Sequence, residues 1–436
     1  MNAALRSFEA QWRARSADAD ALQPVREQAM QRFLKLGLPT LRDETWRYTD
    51  LRSLAAESFE SARCEVRGEI DRNASLSLPA SDQPVTTVVM INGCPSLSAD
   101  LGAIKGIEIN SIKDLSRLDP NALARFFPLA SDADQRRWVL LNTALFIDGL
   151  YLKITGHVAD PVVILHVSTA DRAHEAAHPR IIIDAAPGSS ATIIEHHVTH
   201  GEIAPLNNSN THIALGKDAQ LEHYRVYATG AGATHLDALD IHQAQGSQCK
   251  QFTIALGGGL VRSSLEAHLN EPGASLDSFS LLMGHEDRHV DCVNIVTHAA
   301  PSTRSRQTSR AIAGDVSRVI FNSKVIVKAG AVHADSQQSC RGLLLSPNAE
   351  IDTRPQLEIH ADEVKCAHGA TTGRLDPDML FYLLSRGLDR ETAQSLLVYA
   401  FLADVLTGMS VTSARSAIES ALISQLPDSQ TLRKFR

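Results

Sequence analysis

The sequence predicts a mainly β protein, a parallel β-helix core set between helical ends, and three observations carry that prediction. From about residue 140 to 373, short β-branched runs follow one another (162–165, 181–183, 192–194, 325–327), separated by turn residues and with no helical period longer than two turns. A turn pattern recurs at Pro187-Gly188-Ser189, Leu215-Gly216-Lys217, Gln245-Gly246-Ser247 and Pro272-Gly273-Ala274, so the glycines at 188, 216, 246 and 273 step by 28, 30 and 27 residues. Pro347-Asn348-Ala349-Glu350 repeats it with Asn in the glycine's place, a residue that tolerates positive φ. An alternating strand follows each turn, as at 219–224. Together these describe stacked coils, each burying its apolar residues on the next. An antiparallel sandwich is the competitor that strand signals alone would favour.

The flanks read differently. Residues 3–35 read as helix, because Leu5, Phe8 and Trp12, then Met30, Phe33 and Leu34, recur at three- and four-residue steps. The stretch 52–134 mixes short apolar runs such as 85–91 with polar loops, an irregular α/β portion. After the coils, Asp376 suits an N-cap, Pro377 the first helical position and Gly387 the position past the end, with Leu380, Leu383 and Leu384 as the apolar stripe. A second helix from Asp389 places Ala393, Leu396, Leu397, Ala400, Phe401 and Val405 on one face. A third carries Ala414, Ala417, Ile418, Ala421, Leu422 and Leu426 until Pro427 stops it. The organisation expected is an N-terminal helical and α/β portion over 1–139, a β-helix over 140–373 and a helical docking module over 374–436.

Composition narrows the function. The 436 residues carry a net charge of −8, which gives a nucleic-acid role no electrostatic support. The first twenty residues are charged throughout and lack the apolar core of a signal peptide, and nowhere do 18 apolar residues run uninterrupted. A cytoplasmic protein that meets no membrane is expected. Its six cysteines show no C-x-x-C pair and are expected as reduced thiols, with no zinc site in their spacing. Eighteen histidines permit a metal role without establishing one.

Several motifs dissolve on inspection. His285-Glu286-Asp287-Arg288-His289 is a formal H-E-x-x-H, but a zinc protease needs it in a helix, and Gly284 before it and Val290, Val293 and Ile295 after it are strand-and-turn composition. Gly257-Gly258-Gly259 has no following Lys-Ser or Lys-Thr, and no Walker A sequence exists, so a partner must hydrolyse any ATP. Glu195-His196-His197 and Glu222-His223-Tyr224 follow equivalent turns and could stack as a ladder of like side chains. The ordinary reading is a solvated strand face, because alternating polar residues normally face water.

The densest chemistry lies where coils meet helices, from Glu358 to Thr371. On an extended segment Cys366 and His368 point to one side, and a thiolate with an imidazole suits iron, zinc or copper. Two ligands do not close a site, so others must come from elsewhere. The bland alternative is a buried thiol beside a structural histidine.

These residues also carry a resemblance. Cys366-Ala367-His368-Gly369-Ala370-Thr371, Phe381-Tyr382-Leu383-Leu384-Ser385-Arg386-Gly387 and Glu44-Thr45-Trp46-Arg47-Tyr48-Thr49-Asp50-Leu51 resemble the SufB/SufD family of iron–sulfur cluster assembly proteins, on its SufD side. Ala367 stands where the family has Ser, Cys340 and Gly342 where it usually has Asn, and Phe321-Asn322-Ser323 lacks its glycine. The resemblance implies a right-handed parallel β-helix and a scaffold that is not itself an enzyme. It implies partnership with a SufB-like paralogue and a SufC-like ABC ATPase, the latter held by the C-terminal helices through Phe381, Tyr382, Arg386, Leu397 and Phe401. His368, with Cys366 behind it, is expected to face a partner cysteine where the nascent cluster forms. No cofactor is expected to be permanently bound, only transient iron or a nascent cluster, and pairing with itself when alone is left open. A β-helical carbohydrate-active enzyme, or a purely structural interaction protein, is the alternative.

Overall fold

The computed structural model describes residues 2–15, 21–65, 86–97, 104–119, 123, 125–127 and 136–426. Two sheets wind through it as stacked coils, about eight turns of a parallel solenoid. One sheet runs through Leu150–Ile154, Arg180–Ala185, Asn210–Leu215, Thr234–Gln243, Leu260–Leu269, His289–His298, Arg318–Val327 and Glu350–Ile359. The other runs through Thr86–Ile91, Val162–Ser168, Ser190–Thr199, Gln220–Tyr227, Gln248–Ala255, Ser275–Gly284, Arg304–Ala313, Asp335–Leu344 and Lys365–Arg374. All these neighbours pair in parallel; antiparallel pairing enters with Ile107–Ser111 on Leu150–Ile154 and Cys94–Ser96 on Thr86–Ile91. The sandwich is thereby excluded.

The turns match the repeat, with corrections. Gly188, Gly246 and Gly273 adopt φ of 70°, 67° and 75°, which an L side chain rarely accepts. Gly216 does not; Asp218, two residues later, takes the left-handed conformation at φ 56°. Asn348 has no positive φ either, so that turn closes by another route.

Apolar residues fill one side of the lumen between the sheets, among them Ile164, Ile183, Ile193, Ile213, Ile241, Leu265, Val296 and Val325. The outer faces are covered by the helical ends. The C-terminal helices lay Val398, Leu402, Val405, Ile418 and Leu422 on Tyr224, Phe252, Ile254, Met283 and Ile312. Beneath them Tyr224, Phe252 and Phe279 stack coil on coil, with centroids 4.7 Å apart at both steps. On the other sheet, Phe8, Phe33, Trp46 and Trp138 pack against Leu206 and Leu236.

The N-terminal segment forms two helices, Ala3–Arg15 and Gln23–Leu36, instead of one, with Pro24 in the first turn of the second. Trp46 is buried under the Arg262 guanidinium, 3.8 Å above its ring, and Arg262 Nη2 donates to Thr45 O at 2.6 Å. Arg354 pairs with Glu44 at 2.6 Å, so the block 44–51 clamps onto four successive coils through side chains that only the folded solenoid brings together. From the irregular portion, Thr86–Ile91 joins the solenoid beside Val162–Ser168. Cys64 and Cys94 form a disulfide with Cα atoms 5.5 Å apart. This corrects the expectation of six reduced thiols. Spacing could not reveal the pair, because the strand hairpin at Cys94, not the local sequence, brings it to Cys64.

Asp376 caps its helix by accepting from Asp378 N at 2.8 Å, and Asp389 caps the next from Thr392 N at 2.9 Å. In Arg390–Leu406 the buried face is Ala393, Ser395, Val398, Leu402 and Val405, rotated from the expected stripe and leaving Ala400 exposed. The third helix, Thr412–Ser424, buries Ala414, Ala417, Ile418 and Leu422 as read. Pro427 lies outside the described residues.

Candidate functional site

The solenoid ends without a lid among the described residues. Glu350–Ile359 pairs only with Arg318–Val327, and Lys365–Arg374 only with Asp335–Leu344, so each presents a ten-residue free edge. Unpaired N–H and C=O groups on such edges are a template for strands of another chain. On the last complete coil, Ser336, Gln338 and Cys340 point inward and are buried. Cys366, His368 and Ala370 stand directly over them in register. With no further coil to cover it, His368 is exposed. Cys366 shares its side, as strand alternation requires, but is half-buried against the apolar lumen beside Leu357 and Val364. Burial, reinforced by the nearby Asp335 carboxylate and opposed by a Ser336 backbone hydrogen bond, pushes the Cys366 thiol up, which keeps it protonated at neutral pH. Close by, Glu358 is held down to about 2 by hydrogen bonds from His360 and Lys324.

The helix Pro377–Ser385 beside this end buries none of its residues. Met379, Phe381 and Tyr382 are 58%, 72% and 55% exposed, and the Arg386 guanidinium lies 5.0 Å over the Tyr382 ring. Leu397 is half-buried on the next helix. Phe401 is half-buried too, but it packs against the sheet, with Arg310 5.8 Å from its ring and Arg310 paired to Asp404. The five residues therefore divide into an exposed trio and two on the flank of the packed helix.

Comparison with known proteins gives this end its context. Residues 166–401 match the model of the SufBD core domain of the SUF system for iron–sulfur cluster assembly, and residues 8–164 match the SufBD N-terminal region. The chain belongs to the SufBD family. The iron–sulfur cluster assembly protein SufD of Escherichia coli is 29% identical over 94% of this chain and 95% of its own length. A SufBD family protein of Synechocystis is 28% identical over 89% of this chain and 87% of its own length. A chloroplastic Arabidopsis relative, ABCI7, is 25% identical over 88% and 82%. A SufBD role in iron–sulfur cluster assembly follows.

The lumen of this solenoid holds a second cluster of ionisable side chains. Glu195 is wholly buried and accepts from His223 Nε2 at 2.8 Å, His166 Nε2 at 3.1 Å and Thr211 Oγ1 at 2.8 Å. Burial works against its charge, yet the hydrogen bonds from His166 and His223 hold it well below the usual carboxylate range. His166 and His197 stack at 4.2 Å between centroids, and Tyr227 continues the stack at 5.0 Å. His235 and Asp237 reach in from the opposite sheet. Burial takes His235 down to about 3 and raises Asp237 to about 6.

From this cluster a buried polar column runs along the solenoid, His223 over Gln251, Ser278, Gln307 and Gln338 in strict register, and ends at His368. Gln338 Nε2 donates to Ser323 Oγ at 2.6 Å, and Ser323 Oγ donates to Gln307 Oε1 at 2.9 Å across the lumen. Ser278 Oγ donates to Gln251 Oε1 at 3.2 Å.

This overturns the reading of Glu195-His196-His197 and Glu222-His223-Tyr224 as a solvated face. It also overturns the ladder of like side chains: Tyr224 pairs with Ile194 and Tyr227 with His197. Counting two residues along each strand, Glu195 with His197 and His223 with Arg225, would have singled out the inward set. His285–Arg288 form the turn between two strands, with Glu286 at φ 56°, and no protease helix exists there.

Proposed function

We propose that this chain is the non-ATPase scaffold of a Suf-type complex. In this reading its open solenoid end pairs with a SufB-like paralogue and its exposed C-terminal helix engages a SufC-like ABC ATPase. The observation that supports it best is the uncovered last coil, where two free strand edges flank an exposed imidazole. Strand addition across those edges satisfies the unpaired backbone groups and sets the register of a partner strand against His368. The His368 ring then supplies a nitrogen ligand to iron or a nascent cluster, and a partner thiolate completes a mixed His/Cys set of the kind iron–sulfur centres accept. Cys366 serves as packing beneath it, because a protonated, half-buried thiol is a poor ligand. The iron and cluster are cargo; the chain positions them and does no chemistry of its own. Among the described residues no helix is long and apolar enough to cross a membrane; the cytoplasm is the compartment proposed.

Reconstitution tests this. The chain, its SufB-like partner and the ATPase are co-expressed, purified and supplied with iron and a sulfur donor. His368→Ala should assemble the complex normally but form clusters far more slowly. Wild-type rates in that variant would leave the chain a purely structural partner.

A further inference from the structure

His197, His235 and Asp237 each place one donor atom so that all lie within 4.8 Å of one another, inside the lumen and far from solvent. His235 is 0% exposed, and neither of its ring nitrogens has a hydrogen-bond partner. Asp237 Oδ1 accepts from Ser209 N at 3.2 Å; the Tyr227 hydroxyl faces the carboxylate, but no donor comes within hydrogen-bond distance of its buried Oδ2. Leaving three such atoms unsatisfied in one place is costly, and proteins seldom tolerate it without a function. His235 Nδ1 stands 4.0 Å from Asp237 Oδ2, too far for a hydrogen bond. An ion that holds its donors at about 2.0–2.2 Å sets them roughly 3–3.5 Å apart, a small inward movement from this geometry.

Charge points the same way. The lumen cluster contains two carboxylates, Glu195 and Asp237, and one guanidinium, Arg225, all buried. Arg225 directs its donors to Tyr227 Oη and Ser263 Oγ, at 2.7 and 2.6 Å, not to Asp237. The buried carboxylates outnumber the buried guanidinium here, and a cation held by Asp237 would add positive charge where the low-dielectric interior makes it count most.

We propose that His197, His235 and Asp237 bind a divalent first-row transition-metal ion, iron(II) or zinc(II), within the solenoid lumen. Two imidazoles and one carboxylate are the donor set such ions share. His166 and Glu195 form the wall behind it: their donors and that of His197 also lie within 4.8 Å of one another, but Glu195 is already hydrogen-bonded. The site is separate from His368 and stands whether or not that residue handles iron.

The test uses the full chain, stripped with chelator and desalted. It is loaded anaerobically with Fe²⁺ or Zn²⁺ in separate arms, both on the folded protein and during refolding, because the site is closed to solvent. Metal retained after gel filtration is measured by mass spectrometry, and Co²⁺ serves as a spectroscopic probe of the ligands. One tightly held ion per chain, with a rise in melting temperature, is expected; the arm that loads identifies the metal. Asp237→Asn, and separately His235→Gln, should cut retention at least tenfold and abolish the metal-dependent rise, while His368→Ala should do neither. No retention in either arm, even after refolding with metal, would mean that a proton on one of the imidazoles balances the charge, and would overturn the proposal. So would full retention in both site variants.

Discussion

Phe381→Ala separates docking from folding most cleanly. The ring is 72% exposed on a helix that buries no residue, so its truncation removes little internal packing. Stability should change by less than about 0.5 kcal/mol, as for a surface substitution. Binding is another matter. Full burial of a phenylalanine side chain is worth about 1.5–3 kcal/mol, and the share still open here makes roughly 1–2 kcal/mol available to a partner. At about 1.4 kcal/mol per tenfold, Phe381→Ala should weaken the ATPase complex roughly 5- to 30-fold. Tyr382→Ala, at 55% exposure, should cost somewhat less. Leu402→Ala is the opposing control: at 0% exposure beneath the same module, its loss should destabilise the fold by about 2–5 kcal/mol. Isothermal titration against the purified ATPase and urea unfolding read the two effects. If Phe381→Ala binds within twofold of wild type, or loses stability as Leu402→Ala does, the exposed helix is not the docking surface.

Three further outcomes are expected. Cys366→Ser should lower cluster formation less than His368→Ala, and iodoacetamide labelling of Cys366 should be slow at pH 7 and speed up toward pH 9; fast labelling at pH 7 would contradict the raised thiol pKa. Trp46→Ala should cost about 3–5 kcal/mol in urea unfolding, because a buried ring stacked on Arg262 is lost; a change under about 1 kcal/mol would show that the block 44–51 does not clamp the coils. Burial lowers His178 and His212 to about 3 and His298 to about 4, from an ordinary value of 6.5. In each the unfolded chain takes up a proton first, so the stability present above pH 6.5 is lost as pH falls toward the folded values. The urea midpoint should therefore fall between pH 7 and 5, and a flat profile there would show that these rings are not buried neutral.

The coils were legible because a turn must recur wherever a solenoid closes one: Gly188, Gly246 and Gly273 mark that period in one-dimensional text. The helix caps at Asp376 and Asp389 were legible for the same local reason. What failed was inference about faces. Alternating polar residues at 195–197 and 222–224 ordinarily signal water, yet here Glu195, His197 and His223 line the lumen, while Tyr224 on the other face packs under the C-terminal helices. Nothing local distinguishes the two cases, since the partners Thr211 and Ser263 lie on the opposite sheet, 16 and 38 residues away. The coil pairing was misjudged for a related reason: turns of unequal length shift the register, so similar triplets 27 residues apart do not stack. The exposure of His368 was likewise invisible, because it depends on the next coil being absent. The C-terminal stripe in Arg390–Leu406 was rotated by its docking onto the Tyr224–Phe252–Phe279 stack, a surface built from three separate coils.

The buried column from His223 to His368 bears on how such a chain can change length. Each rung is tied to its neighbours by register, and two, Gln307 and Gln338, are tied across the lumen by hydrogen bonds with Ser323. A one-residue insertion within a strand would turn its glutamine outward and the adjacent outward-facing residue inward, breaking the column at that rung. Insertions and deletions should consequently concentrate in the turns or arrive as whole coils. Relatives that differ in size should then differ in steps of one coil, with the end carrying the histidine displaced intact along the solenoid axis.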